Sequence, residues 1–87
     1  MLKIQRTGND SIVLTVIGRL QADNIGELSA LLANEPANRV VTLDLNDLTL
    51  VDRQAVRFLQ ECQARGIRLR RCPGYIRIWI ASENEES

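Results

Sequence analysis

Residues 40–57 read VVTLDLNDLTLVDRQAVR and place an apolar run, a short polar segment and a helix start in direct succession. The run Val40–Leu45 is rich in β-branched residues and too apolar for a sheet edge, so it predicts a strand buried on most sides. Asp52 is a favourable N-cap residue, and the spacing after it predicts a helix from about Asp52 or Arg53 to Arg65. A buried strand followed by such a helix is typical of an α/β fold.

Two helices are predicted by apolar residues at helical spacing. The face of the upstream helix holds Ile25, Leu28, Leu31 and Leu32, and that of the downstream helix holds Val56, Leu59, Cys62 and Gln63, flanked by Ala55 and Phe58. Asn24 and Glu27 resemble a capping box at the start of the upstream helix, with Asp23 as the alternative cap. The segment 34–36 ends it with a proline.

The chain before the first helix predicts a β-hairpin. Leu2–Gln5 alternates apolar and polar residues, Ile12–Ile17 is a β-branched run, and the turn cluster 7–10 separates them. The helix that connects Ile12–Ile17 to Val40–Leu45 makes those two strands parallel neighbours.

Downstream, Gly66 ends the second helix and Ile67–Arg71 alternates apolar residues with arginines, as in a half-buried strand. The segment from Tyr75 to Ser82 fits a strand or a helix; we favour a short helix, because Pro73 suits a helix entry. A frayed acidic tail, 83–87, is expected after it. The predicted fold is one α/β domain, residues 1–82, with a mixed four-stranded sheet in the order β-β-α-β-α-β-α.

The composition argues against several classes of function. Eleven basic and eleven acidic residues cancel, so no net charge attracts nucleic acid or an anionic membrane. There is no histidine, and Cys62 and Cys72 form no metal-binding pattern, so we expect no metal, no cofactor and no enzymatic activity. No apolar run is long enough to span a membrane, and we expect a cytoplasmic protein without membrane insertion.

Three passages together resemble a STAS domain, the fold of bacterial anti-sigma-factor antagonists and of sulfate-transporter tails. They are VIGRLQADNIGEL at 16–28, VVTLDLNDLTLVDRQAVRFL at 40–59 and GIRLRRC at 66–72. Signalling members of that family carry Asp-Ser-Ser/Thr-Gly after the buried strand. A partner kinase, which is also the anti-sigma factor, phosphorylates the first hydroxyl residue, where a helix N-terminus stabilises the added charge.

The resemblance places Asp52 on the family aspartate and Arg53 on the phosphorylated position. Gln54 and Ala55 replace the remaining two motif residues. Arginine neither accepts phosphate nor mimics phosphoserine, so no phosphorylation is expected there. The resemblance therefore implies a phosphorylation-independent interaction module.

Its partner would be an anti-sigma-factor-like kinase or a transporter component. The candidate partner-binding residues lie after the buried strand and are Asn46, Asp47, Thr49, Asp52, Arg53, Gln54 and Arg57. A homodimer through Tyr75 and Trp79 is a further alternative.

Two other functions stay open within the same resemblance. One is an accessory subunit of a lipid-transporting ABC permease. The other is a small-molecule or nucleotide sensor that uses Gly18, Arg19 and the loop 46–52, at the carboxyl ends of strands. A phospho-aspartate metal site at Asp44, Asp47 and Asp52 is disfavoured, because such residues are commonly caps and turn formers.

Overall fold

The computed structural model describes residues 2–8, 10–35 and 40–86, with backbone alone for 84–86. The strands are β1 Leu2–Thr7, β2 Ser11–Leu20, β3 Val40–Asp44, β4 Leu48–Val51 and β5 Arg68–Arg70. The helices are α1 Ile25–Ala33, α2 Arg53–Ala64 and α3 Gly74–Glu86. The fold is therefore α/β, as predicted, in the order β-β-α-β-β-α-β-α.

One mixed sheet contains all the described strands. β1 and β2 form the predicted antiparallel hairpin, and β2 is parallel to β3, as expected for strands joined through α1. β5 pairs in parallel with β3, on the side of β3 opposite to β2, so the strand order is β1-β2-β3-β5. The short strand β4 pairs in parallel with the last residues of β2.

The prediction of a four-stranded sheet was wrong, because it omitted β4. β2 continues through Gly18 to Leu20 instead of ending at Ile17, so it extends beyond β3. β4 pairs with the extended part, and a shift in register follows Gly18, which has φ +99°. A positive φ is readily adopted by glycine, and such an irregularity bends a strand. The sequence could not show this pairing, because β4 is short and lacks strict alternation.

The core lies between the sheet and the three described helices. Its helical members are Leu28 and Leu32 of α1, Ala55, Val56, Leu59 and Cys62 of α2, and Ile76 and Ile80 of α3. Two residues assigned to inward faces are in fact exposed, Leu31 and Gln63. Each lies at the margin of its apolar stripe, where helical spacing alone does not separate the core from its edge.

The ends of α1 and α3 also differ from expectation. Asn24 precedes α1, but its side chain makes no capping bond; it accepts from the Gln21 N–H at 2.7 Å and donates to the Arg19 carbonyl at 2.8 Å. The segment from Tyr75 is a helix, which extends past Ser82 to Glu86. Asn9, Pro36 and Ser87 lie outside the described residues. None of the described helices is long and apolar enough to cross a membrane.

Candidate protein-interaction face

Asp52 fixes the start of α2 against the segment that precedes α1. One carboxylate oxygen accepts the Ala55 N–H at 2.9 Å, which confirms the predicted N-cap. The other oxygen accepts the Ala22 N–H at 2.8 Å. This one side chain therefore satisfies a free donor of the helix and also connects two loops that are distant in sequence.

Arg53 is the first residue of α2, and its guanidinium forms an ion pair with a carboxylate of α3. Its Nε lies 3.1 Å from Oε1 of Glu83, and Arg57 Nε lies 4.0 Å from the other Glu83 oxygen. The Trp79 Nε1–H donates to the same carboxylate at 3.3 Å. A cation in the first turn is unfavourable by only about 0.3–1 kcal/mol, and the carboxylates of Asp52 and Glu83 offset it.

β4 presents its two central side chains to solvent. Leu48 and Val51 are buried, whereas Thr49 and Leu50 are exposed, Leu50 by 42%. The Thr49 hydroxyl donates to the Gly18 carbonyl, and the Tyr75 hydroxyl donates to the Thr49 carbonyl, both at 2.8 Å. These bonds hold β4 to β2 on one side and to α3 on the other.

The candidate residues do not form one loop. Asn46 and Asp47 lie in the turn before β4, Thr49 lies within β4, and Asp52, Arg53, Gln54 and Arg57 lie after it. This four-residue strand separates the first group from the last by roughly 13 Å. Among the candidates only Asp52 is half-buried; the others are exposed. We use "docking face" for the candidate surface made by the exposed residues of β4 and of the first turns of α2: Thr49, Leu50, Arg53, Gln54 and Arg57.

The turn before β4 adjoins an ion cluster, built around a buried aspartate, that the sequence did not reveal. Asp44, 1% exposed, accepts hydrogen bonds from Arg71 through two nitrogens and from Arg70 Nη2 at 3.0 Å. Its Oδ1 also accepts the Asn46 N–H at 3.1 Å. The Arg71 guanidinium above all holds the pKa of the Asp44 carboxyl well below its usual range. The sequence feature that could have indicated this cluster is Asp44 itself, the one carboxylate at the end of an apolar strand. A carboxylate that is buried there needs a charged partner.

This geometry gives no support to a metal centre. Asp44 is occupied by arginines and Asp52 by backbone N–H groups. The described part of the chain holds no group of three or more potential ligands placed to share a metal ion. Cys62 is buried, as expected for a core residue, and Cys72 is half-buried against the core.

A shallow depression contains one residue of the segments considered for ligand sensing, Asp52. It is lined by Gln21, Ala22, Asp23 and Asp52 and has a volume of about 300 Å³. Two of its four lining side chains are carboxylates, so it would repel a phosphate or carboxylate ligand. Arg19 and Gly18 are not part of its lining.

Comparison with known proteins finds similarity among solved structures. No family model matches the chain, and no curated protein matches it. Among solved structures it is similar to Mglu, with a TM-score of 0.54 and 26% sequence identity over 78% of this chain. The match covers 18% of the Mglu chain, so the similarity concerns a small part of a much longer protein.

Proposed function

We propose that this domain is a non-catalytic protein-interaction module of the STAS, anti-sigma-factor-antagonist type, which binds its partner without a phosphorylation switch. The sequence resemblance supplies the class of partner: an anti-sigma-factor-like kinase or a transporter component. The docking face supplies the surface.

One observation carries the phosphorylation-independent part of the proposal. Arg53 occupies the first position of α2, where the resembled family has its acceptor hydroxyl, and its guanidinium contacts Glu83. Thr49 is the only hydroxyl residue between 46 and 57, and its hydroxyl already donates to the Gly18 carbonyl. The permanently charged guanidinium of Arg53 thus stands where the resembled family adds and removes a phosphate.

The composition of the docking face suits protein recognition. Arg53 and Arg57 keep more than half of their side-chain surface exposed, 58% and 54%, despite their contacts with Glu83. Leu50 adds an exposed aliphatic side chain one strand position from Thr49. Arginine is enriched at protein interfaces. Asp52 and Tyr75 hold this surface in place before binding, which lowers the entropic cost of association.

Partner capture from cell extract tests the docking face. Three forms of the chain serve as bait: the wild type, a test variant and a control. The test variant is Leu50→Asp, a change that breaks no side-chain hydrogen bond or ion pair of the described residues. The control is Ile78→Asp, which replaces an aliphatic residue that is 72% exposed and lies on α3, outside the face. We expect Leu50→Asp to lose proteins that the wild type and the control retain. Equal recovery with both variants would refute this docking face.

A second experiment tests the independence from phosphorylation. The captured complex is formed with chain treated with phosphatase and with untreated chain, and residues 46–57 are analysed by mass spectrometry. We expect equal binding and no phosphate on Thr49. A phosphorylated fraction that binds differently from the unmodified chain would contradict the proposal.

A further inference from the structure

A cleft of about 320 Å³ lies between α3 and the end of β5, away from the docking face. Its walls come from α2, β5, the segment after β5, and α3. The lining residues are Gln63, Leu69, Arg71, Cys72, Arg77 and Ile80. No part of the proposed docking function uses them.

The floor of the cleft is apolar. Ile80 is 6% exposed and belongs to the core, and Leu69 and Cys72 are half-buried against it. Burial raises the pKa of the Cys72 thiol, so this side chain is an uncharged part of the floor. A surface of this kind favours an aliphatic or aromatic group over water.

The rim of the cleft is positively charged. No carboxylate among the described side chains lies within ion-pair distance of Arg77. Arg71 does have a carboxylate partner, but it shares Asp44 with Arg70, so two guanidiniums meet one carboxylate. The side chain of Arg71 remains 56% exposed. Asp47 adds a weaker electrostatic attraction to Arg71, so three guanidiniums, those of Arg70, Arg71 and Arg77, face two carboxylates. A cationic excess therefore borders the apolar floor, and Gln63 adds an amide.

The backbone at Arg71 has an uncommon conformation. Its φ is +52°, the one positive value at a non-glycine residue in the described part of the chain. Such a conformation is unfavourable for an arginine and persists when the surroundings enforce it. Here the contacts with Asp44 supply that constraint, and they fix the guanidinium beside the cleft.

We propose that this cleft binds a small organic anion, a carboxylate on a short apolar chain. Its head would pair with Arg77 and the exposed side of Arg71, and its chain would cover Leu69, Cys72 and Ile80. Guanidinium groups bind carboxylates strongly through charge-assisted hydrogen bonds. Small-molecule pockets usually measure about 300–1,000 Å³. The cleft is at the lower end of that range, which restricts the ligand to a short chain.

Octanoate is the probe for the first test. It is titrated into the 87-residue chain while backbone amide shifts are followed by NMR. We expect saturable shifts at the six lining residues and little change at the docking face. Octanol, which lacks the charge, and inorganic phosphate, which lacks the chain, should each bind far more weakly. An absence of saturable shifts, or shifts centred elsewhere, would overturn the proposal.

Two variants and one chemical label sharpen the test. Arg77→Gln should weaken octanoate binding roughly tenfold, because a charge-assisted contact is lost. Arg68→Gln removes an exposed arginine outside the cleft and should leave binding unchanged. Bound octanoate should also slow alkylation of Cys72, with the fully buried Cys62 silent. Unchanged affinity in Arg77→Gln, or unprotected Cys72 at saturation, would contradict the assigned site.

Discussion

Arg53 Nε at the start of α2 lies 3.1 Å from Glu83 Oε1 in α3, thirty residues further along the chain. The same carboxylate contacts Arg57 and accepts from the indole of Trp79. This arrangement explains how an arginine is tolerated at the positive end of the helix dipole. It also joins the start of α2 to the last helix.

Replacing Glu83 with glutamine should loosen the second half of α3. The variant loses the charge shared by two arginines, both of them largely exposed, so the free energy of unfolding should fall by only about 0.2–1 kcal/mol. Trp79 is the single tryptophan, and its fluorescence should shift to the red as its indole becomes more hydrated. Hydrogen exchange in residues 79–83 should accelerate.

Glu61→Gln is the matched control, because Glu61 is exposed on α2 and forms no ion pair within the described residues. It should leave Trp79 fluorescence unchanged. Raising the salt concentration should reduce the difference between wild type and Glu83→Gln, because salt screens exposed charges. Identical fluorescence and exchange in the two variants would show that Glu83 does not hold α3.

Stability should decrease in acid because of Asp44. Its pKa is depressed in the folded protein, so the ionised carboxylate stabilises the fold at neutral pH. That contribution is fully present above the unfolded-state pKa and is lost progressively as pH falls from about 5 toward 2. Asp44→Asn should lower the free energy of unfolding at pH 7 by about 2 kcal/mol through lost charge-assisted bonds. Chemical denaturation at a series of pH values measures both effects.

Asp47→Asn provides the comparison for Asp44. Asp47 is exposed, and its carboxylate accepts a hydrogen bond from the amide of the neighbouring Asn46. Its variant should retain both the stability at pH 7 and the acid-dependent decrease. The assignment to Asp44 fails if Asp44→Asn keeps the same slope below pH 5 as the wild type.

The fold class was accessible from the sequence, because periodic patterns and caps are local. The Asp52 cap, the β1–β2 hairpin and the inward residues of α2 such as Val56 and Leu59 follow from nearby spacing. β4 was missed for the opposite reason. Its buried residues, Leu48 and Val51, are three apart, and its partner strand lies some thirty residues earlier.

The candidate site was only partly predictable for the same reason. Arg53 and Arg57, which the sequence indicated as candidate partner-binding residues, are exposed on α2. Their partner Glu83 and the pairing of Asp44 with Arg71 are long-range contacts, which local pattern does not encode. The strand β4 also separates Asn46 and Asp47 from the candidate residues of α2, whereas the sequence predicted a loop from Asn46 to Asp52 that leads directly into the helix.

Asp52→Ala should destabilise the domain and disturb two loops together. It removes the cap on the Ala55 N–H and leaves the Ala22 N–H without its carboxylate acceptor. Loss of an N-cap typically costs about 1 kcal/mol, and the second bond should raise the total to about 2 kcal/mol. Thermal and urea unfolding measure the change, and amide shifts should move at both Ala22 and Ala55.

Asp23→Ala is the control for Asp52, since Asp23 is exposed in the same depression. Its unfolding midpoint should remain within error of the wild type. Shifts confined to the start of α2 in Asp52→Ala would show that the contact with Ala22 does not persist in solution.

Two glycine-to-alanine changes should have opposite effects on stability, and the destabilising one is in the β1–β2 turn. Gly8 has φ +104°, and a Cβ there would lie 2.0 Å from the Ser11 carbonyl oxygen, so Gly8→Ala forces the turn to move. We expect a loss of roughly 2 kcal/mol in the free energy of unfolding.

The stabilising change is in α1. Gly26 has no atom within 4 Å of the position that a Cβ would occupy, so alanine fits without a clash. Gly26→Ala should stabilise the domain by about 0.5–1 kcal/mol, because alanine favours the helix and restricts the unfolded chain. Urea denaturation of both variants beside the wild type tests the pair, and a Gly8→Ala variant as stable as Gly26→Ala would mean that the hairpin turn differs from the one described.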